Sequence, residues 1–256
     1  MRIAISALCL FFLLGGAIAG QAQRKKATKE EEKPAEADTP APQPRPKAKV
    51  NSDSVFRHLQ NKYALASRWS DSDIAKDVLY DMIVLNPRND SIIYNLAYYY
   101  FENRQYASAT LVSQELLARN SKNLDYLELS AASFEGLGIL DRALQNYETQ
   151  YLISNNILTL YKIAFLQLEL NRFEEGLTNV EILLSKPEAN TIMIGFNDTK
   201  GNPKDYPMKY PVMNLKGLIL EGKGDKAGAK KIYDEIVKMA PDFAPAVNNL
   251  AELNKK

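Results

Sequence analysis

From about residue 54 to residue 254 the apolar residues recur three and four apart, in blocks of helical length parted by short polar stretches. The clearest block runs from Val212 to Pro241 and reads as two amphipathic helices joined by a tight turn. Gly217 stands where the two helices must touch, and Gly224-Asp225 supplies the turn. Ala229 suits a close helix–helix contact, Tyr233 and Ile236 give the second helix its apolar stripe, and Pro241 stops it. Such a hairpin cannot bury its apolar face alone. It predicts an array in which each hairpin stacks on the next.

The hairpin recurs. Ala75, Ala109 and Ala143 lie 34 residues apart, each near the start of a second helix, and Gly176 follows 33 later. The second copy reads Ile93-Tyr94-Asn95-Leu96-Ala97-Tyr98-Tyr99-Tyr100, then Tyr106-Ala107-Ser108-Ala109. The third carries Leu127, Ala131, Phe134, Gly138, Leu140, Ala143 and Tyr147; the fourth carries Ile163, Ala164, Phe173, Gly176, Val180 and Leu183. Small residues at one point of each helix let backbones approach, while bulky neighbours fill the space beside them. This pattern resembles the tetratricopeptide repeat. The resemblance implies an all-α, right-handed solenoid of helix-turn-helix units, at about 54–88, 89–122, 123–156, 157–186 and 210–242. A capping helix at 243–254, with Ala246, Val247 and Leu250 on one side, closes the array. Two slots depart from the apolar pattern, Ser130 and Lys216, and the first unit fits only if its turn from Ala66 to Asp73 is lengthened.

Within the second unit Ile93, Leu96, Ala97 and Tyr100 face the core. Tyr94, Tyr98 and Phe101 follow on the adjacent strip, the side that lines the concave groove in tetratricopeptide proteins. Tyr161 and Phe165 occupy the same places two units on, and Glu128 and Asn214 stand at groove places of the third and fifth units. These seven are the candidate binding residues. Tyrosine joins a large stacking surface to a hydroxyl, which suits capture of a peptide or a sugar; packing between units is the competing use of the same rings. The family's carboxylate clamp of basic and Asn residues is not reproduced, since Glu128, Ala132 and Glu135 stand at its third-unit places.

Between residues 187 and 209 the helical pattern fails. Thr191 to Phe196 is β-branched and apolar, Asn197 to Pro203 is turn chemistry, and Asp205 to Pro211 can pair back as an edge strand. A short β-hairpin or ordered loop wedged between the fourth and fifth units is expected. Six bulky residues (Ile192, Met193, Ile194, Phe196, Tyr206 and Met208) either plug a gap there or dock a partner. The plug is the reading adopted, with a polar tip, Asp198 to Lys204, that folding can spare.

The start of the chain is built differently. Arg2, the apolar run Ile3 to Leu14 and the small residues up to Ala22 read as a secretory signal peptide, too short to span a bilayer. Residues 23–53 are charged and proline-rich, with nothing apolar larger than alanine before Val50, and read as a disordered tether. Export followed by a periplasmic or cell-surface location is expected. Cleavage removes Cys9, the only cysteine, so neither a disulfide nor a Cys/His zinc site remains. Charges balance, with 32 basic against 31 acidic residues, and offer no footprint for nucleic acid. The single histidine, His58, has no nucleophile elbow or phosphate loop to accompany it. No cofactor, no metal and no catalysis are expected. The resemblance implies a protein-interaction scaffold of the cell envelope, with proteins or peptides as partners; a glycan- or small-ligand carrier is the alternative.

Overall fold

The computed structural model describes residues 52–255, so the expected signal peptide and almost all of the expected tether fall outside them. The helices run in antiparallel pairs: α1 (Ser52–Arg68) with α2 (Ser72–Leu85), α3 (Asp90–Glu102) with α4 (Tyr106–Arg119), and α5 (Leu124–Gly136) with α6 (Leu140–Ser154). Then come α7 (Ile157–Glu169) with α8 (Phe173–Ser185), α9 (Lys209–Gly222) with α10 (Lys226–Met239), and a single α11 (Ala244–Leu253). Each helix packs on its neighbours in the chain, and the first helices also touch one another, α3 on α5, α7 on α9 and α9 on α11. No two second helices make contact of that extent. The stack therefore curves with the first helices inside, as an all-α solenoid.

The five pairs share one turn. Ser70, Arg104, Gly138, Asn171 and Gly224 all have positive φ, from 56° to 89°. In every case the next N–H donates to the carbonyl five residues back: Asp71 to Ala66, Gln105 to Tyr100, Ile139 to Phe134, Arg172 to Gln167 and Asp225 to Leu220. That bond closes the first helix and satisfies a carbonyl that would otherwise be orphaned. Only two of the five are glycine; the others hold a conformation that costs an L residue about 1–2 kcal/mol, less for Asn. Measured from this residue, the buried small positions fall into two columns. One lies seven residues before it (Ala97, Ala131, Ala164, Gly217) and one five after (Ala75, Ala109, Ala143, Gly176, Ala229). The first unit keeps the same three-residue turn. Its expected lengthening does not occur, because α1 continues as helix through the buried Ala66.

The small residues do what their spacing implies. The Tyr233 ring lies against Gly217 so closely that a Cβ there would sit 2.3 Å from its Cε1. Between units, Tyr106 covers Gly136 and Phe173 covers Gly222 in the same way. The two polar departures are both paired: Lys216 with Glu181 of α8 at 2.5 Å, and Ser130, whose Oγ accepts from Asn146 Nδ2 at 3.0 Å.

The insertion opens with a short 3₁₀ turn (Pro187–Asn190), then β1 (Met193–Asn197) pairs antiparallel with β2 (Pro203–Pro207), Ile194 opposite Tyr206 and Phe196 opposite Lys204. Ile192 and Ile194 pack on the core around Leu183, Met208 and Val212. Phe196 and Tyr206 close edge-on against the fully buried Phe243, with ring centroids 5.3 and 5.0 Å away. Alternation along β1 turns Met193 outward at 53% exposure, so it takes no part in the plug. The tip is not spare. Asp198 bridges to Phe243, Thr199 N–H donates to the Asp242 carbonyl at 3.0 Å, and Lys204 pairs with the Asp242 carboxylate at 2.5 Å. Deleting residues 198–204 would therefore unfasten the junction between α10 and α11, contrary to the sequence expectation.

This clasp should loosen in acid. Backbone and side-chain hydrogen bonds from Asn202 hold Asp198 below the usual carboxylate range, and Lys204 does the same for Asp242. A lowered folded pKa means stabilisation that is present above the unfolded value and lost as pH falls through the folded one. The protection factor of the Thr199 amide should drop between about pH 5 and about pH 3, before that of α8 does. Equal protection of both down to global unfolding would contradict this.

Candidate functional site

The inner face of the stack is lined by α3, α5, α7 and α9, and the seven candidate residues separate there into distinct roles. Tyr94 and Tyr98 are one turn apart on α3, and their rings stack at 6.4 Å. Tyr94 also lies 5.6 Å from Tyr126 of α5, which joins the two units across the groove. Tyr98 is 49% exposed and presents its ring to solvent. Burial raises both hydroxyl pKa values; Asp125 and Glu128 add to the effect at Tyr94, and Glu102 adds to it at Tyr98.

Phe101 turns away to pack on Tyr106, ring to ring at 5.8 Å, in the seam between the second and third units. Tyr161 and Phe165 pack against the core of the fourth and fifth units, and burial pushes the Tyr161 hydroxyl up to about 12. Asn214 is only 8% exposed and its Oδ1 accepts from Asn249 Nδ2 at 2.9 Å, so α11 lies over its place in the groove. Among the seven, the structure leaves Tyr94 and Tyr98 as the aromatic pair facing outward.

Glu128 is part of a polar knot. One carboxylate oxygen pairs with Lys162 of α7, and the other accepts from Gln150 Nε2 at 2.8 Å. Gln150 in turn accepts from Thr159 Oγ1 at 3.3 Å. The Lys162 ammonium sits 4.9 Å over the ring of Tyr147, a cation–π contact. Tyr147 is fully buried and its hydroxyl donates to Glu135 at 2.7 Å. Burial raises the Glu135 carboxyl, opposed by that hydrogen bond and by Lys162. Tyr233 and Glu221 repeat the tyrosine–glutamate bond at 2.8 Å in the fifth unit.

Glu102, Glu135, Glu169 and Glu221 share a feature that sequence reading passed over. Each is the last or next-to-last residue of its helix, and none of those four helices has a basic residue in its last turn. The carboxylate thus meets the negative end of the helix dipole, at a cost of about 0.3–1 kcal/mol each. Their spacing of 33, 34 and 52 residues, beside the same turn in each unit, is visible in the sequence. One side-chain oxygen of Glu169 is buried without a hydrogen-bond partner. Among the described residues no group of His, Cys, Asp and Glu is arranged to hold a metal.

No family model matches the sequence, and no curated protein does either. Solved structures do match. A tetratricopeptide repeat protein from Parabacteroides merdae ATCC 43184 superposes with a TM-score of 0.63 at 16% identity, over 78% of this chain and 72% of that one. The chain has the tetratricopeptide-repeat fold. YrrB, described as a TPR protein with an unusual peptide-binding site, aligns at a TM-score of 0.59 and 12% identity, over 77% of this chain and 96% of its own. MamA aligns at 0.57 and 12%, over 73% and 92%. In tetratricopeptide-repeat terms the α3–α5 groove belongs to the second and third units, and the strand insertion separates the fourth from the fifth.

Proposed function

We propose that this chain is a non-catalytic scaffold that holds an extended segment of another protein along the groove of its second and third repeats. The observation that carries the reading is the Tyr94–Tyr98 pair, stacked on the inner face with Tyr98 half exposed and Tyr126 closing the far side. Rings held rigid by packing lose little entropy on binding and offer large contact area. The structural likeness to YrrB, itself described by its peptide-binding site, is in keeping with a peptide in this position. Arg2 followed by the apolar run Ile3 to Leu14 supports export, which would place the scaffold in the envelope, in the periplasm of a cell with two membranes.

A glycan carrier is the second reading, because a stacked, half-exposed tyrosine pair also suits a sugar face. Capture from envelope extracts, compared between wild type and Tyr98→Ala, tests both. Loss of about 2 kcal/mol or more of binding with an unchanged melting temperature is the expected result for an exposed aromatic anchor. Undiminished protein capture by Tyr98→Ala would reject the groove, and thermal stabilisation by oligosaccharides alone would favour the carrier.

A further inference from the structure

The molecule already shows how its inner face seats a cation. Lys162 reaches from α7, places its ammonium over the Tyr147 ring, and is held by Glu128 with Glu135 alongside. One unit earlier the same ingredients recur without a cation. Tyr94 and Tyr98 supply the rings, Glu102 stands beside the Tyr98 hydroxyl, and Asp125 and Glu128 act on Tyr94. The two described cations nearby are already occupied: Arg119 by Asp90 and Glu115, and Lys162 by Glu128. No described lysine or arginine pairs with Glu102 or Asp125.

A structural role accounts for some of these acids. Asp125 lies in the first turn of α5, where the helix dipole favours it, and Glu135 and Glu221 accept hydrogen bonds from buried tyrosines. Glu169 has no such account: it closes α7 at the unfavourable end and keeps a buried oxygen unsatisfied, while Glu102 closes α3 at the same end beside the Tyr98 hydroxyl. Beside the α3–α5 groove, Glu102 and Asp125 have no basic partner among the described residues, and Glu128 is paired with Lys162. That surface complements a positive ligand and repels a negative one.

We propose that the groove between α3 and α5 takes an extended polypeptide segment bearing lysine or arginine, one side-chain cation lying over the stacked Tyr94 and Tyr98 rings, with Glu102 at the Tyr98 end and Asp125 at the Tyr94 end. The proposal rests on the groove reading above and adds the charge of the partner. An acidic carboxyl-terminal tail is disfavoured by the same acids. Two features define the cation's seat: the rings bind its face, as Tyr147 does for Lys162, and a carboxylate pairs with it, as Glu128 does there.

The test uses the whole chain and fluorescein-labelled nonapeptides of alternating serine and lysine, with norleucine and glutamate versions of the same length, read by anisotropy at low ionic strength. The lysine peptide should bind more tightly than either of the others, and Glu102→Gln and Asp125→Asn should each weaken it by about three- to tenfold. Asp73→Asn, on the exposed start of α2, should leave it unchanged. Equal binding of the norleucine or glutamate peptide, no binding of the lysine peptide, or indifference to both groove substitutions would overturn the proposal. The two readings can fail separately. If Tyr98→Ala abolishes capture of the natural partner while lysine preference is absent, the groove stands and the cation is wrong. If Tyr98→Ala alters neither, the groove itself is wrong.

Discussion

Phe243→Ala should unfold the carboxyl-terminal end of the solenoid at a markedly lower denaturant concentration than wild type. Phe243 is fully buried where three elements converge: Phe196 and Tyr206 of the insertion, Tyr210 of α9, and the start of α11, which it caps. Removing a ring from such a site costs about 3–5 kcal/mol, the upper end applying where the surroundings cannot collapse. Here they cannot easily do so, because Lys204 and Thr199 tie both sides of the gap to Asp242. Chemical denaturation should show the loss. Hydrogen exchange should show α11 and the β1–β2 pair opening together while α3 to α6 keep their protection. A loss below about 1 kcal/mol would mean that the insertion does not depend on this ring.

Gly217→Ala should destabilise the protein although it replaces glycine inside a helix. On propensity alone the change gains about 1 kcal/mol. Against that, the new methyl would lie 2.3 Å from one ring carbon of Tyr233 and 2.7 Å from another. The ring cannot swing aside, being fully buried and anchored through its hydroxyl to Glu221 at 2.8 Å. Overpacking of this kind costs about 1–3 kcal/mol and sometimes more, so the steric term wins and a net loss of about 2 kcal/mol is expected. Tyr233→Leu should cost less in the Gly217→Ala background than in wild type. A coupling energy near zero in that double-mutant cycle would show that α9 moves to make room.

The parts of the fold that could be read from the residues were those with a fixed spacing and a single physical cause. Ala75, Ala109, Ala143 and Gly176 recur because two helix backbones must approach at that point, and the structure buries all four. Polar Ser130 and Lys216 could be flagged but not explained, since Asn146 and Glu181 lie far from them in sequence. The turns were half hidden. Gly138 and Gly224 announce a positive φ, while Ser70, Arg104 and Asn171 adopt it without glycine and leave little trace. The same holds for the insertion. Its apolar strand declared itself, but the polar tip looked dispensable because its partners, Asp242 and Phe243, belong to a later turn. At the site, helical periodicity brought out Tyr94 and Tyr98 together with rings that proved to be packing. Periodicity cannot tell an inner face from a seam when both are aromatic. The turn-side glutamates were missed because charge was balanced over the whole chain, and only the fold shows that Glu135 and Glu221 meet buried tyrosines.

A stack whose members touch only their neighbours melts like a zipper, one unit at a time from whichever end is weaker. The strand insertion changes that arithmetic at one end. Leaving from the foot of α8 and fastening to the start of α11, it ties the fourth repeat, the fifth and the closing helix across a distance no nearest-neighbour contact spans. Those three rise or fall as one block, whereas among the described residues the first repeat, with Trp69 at its turn 70% exposed, is held on one side alone. Fraying among the described residues is thereby directed to the first repeat, and the far end is kept shut.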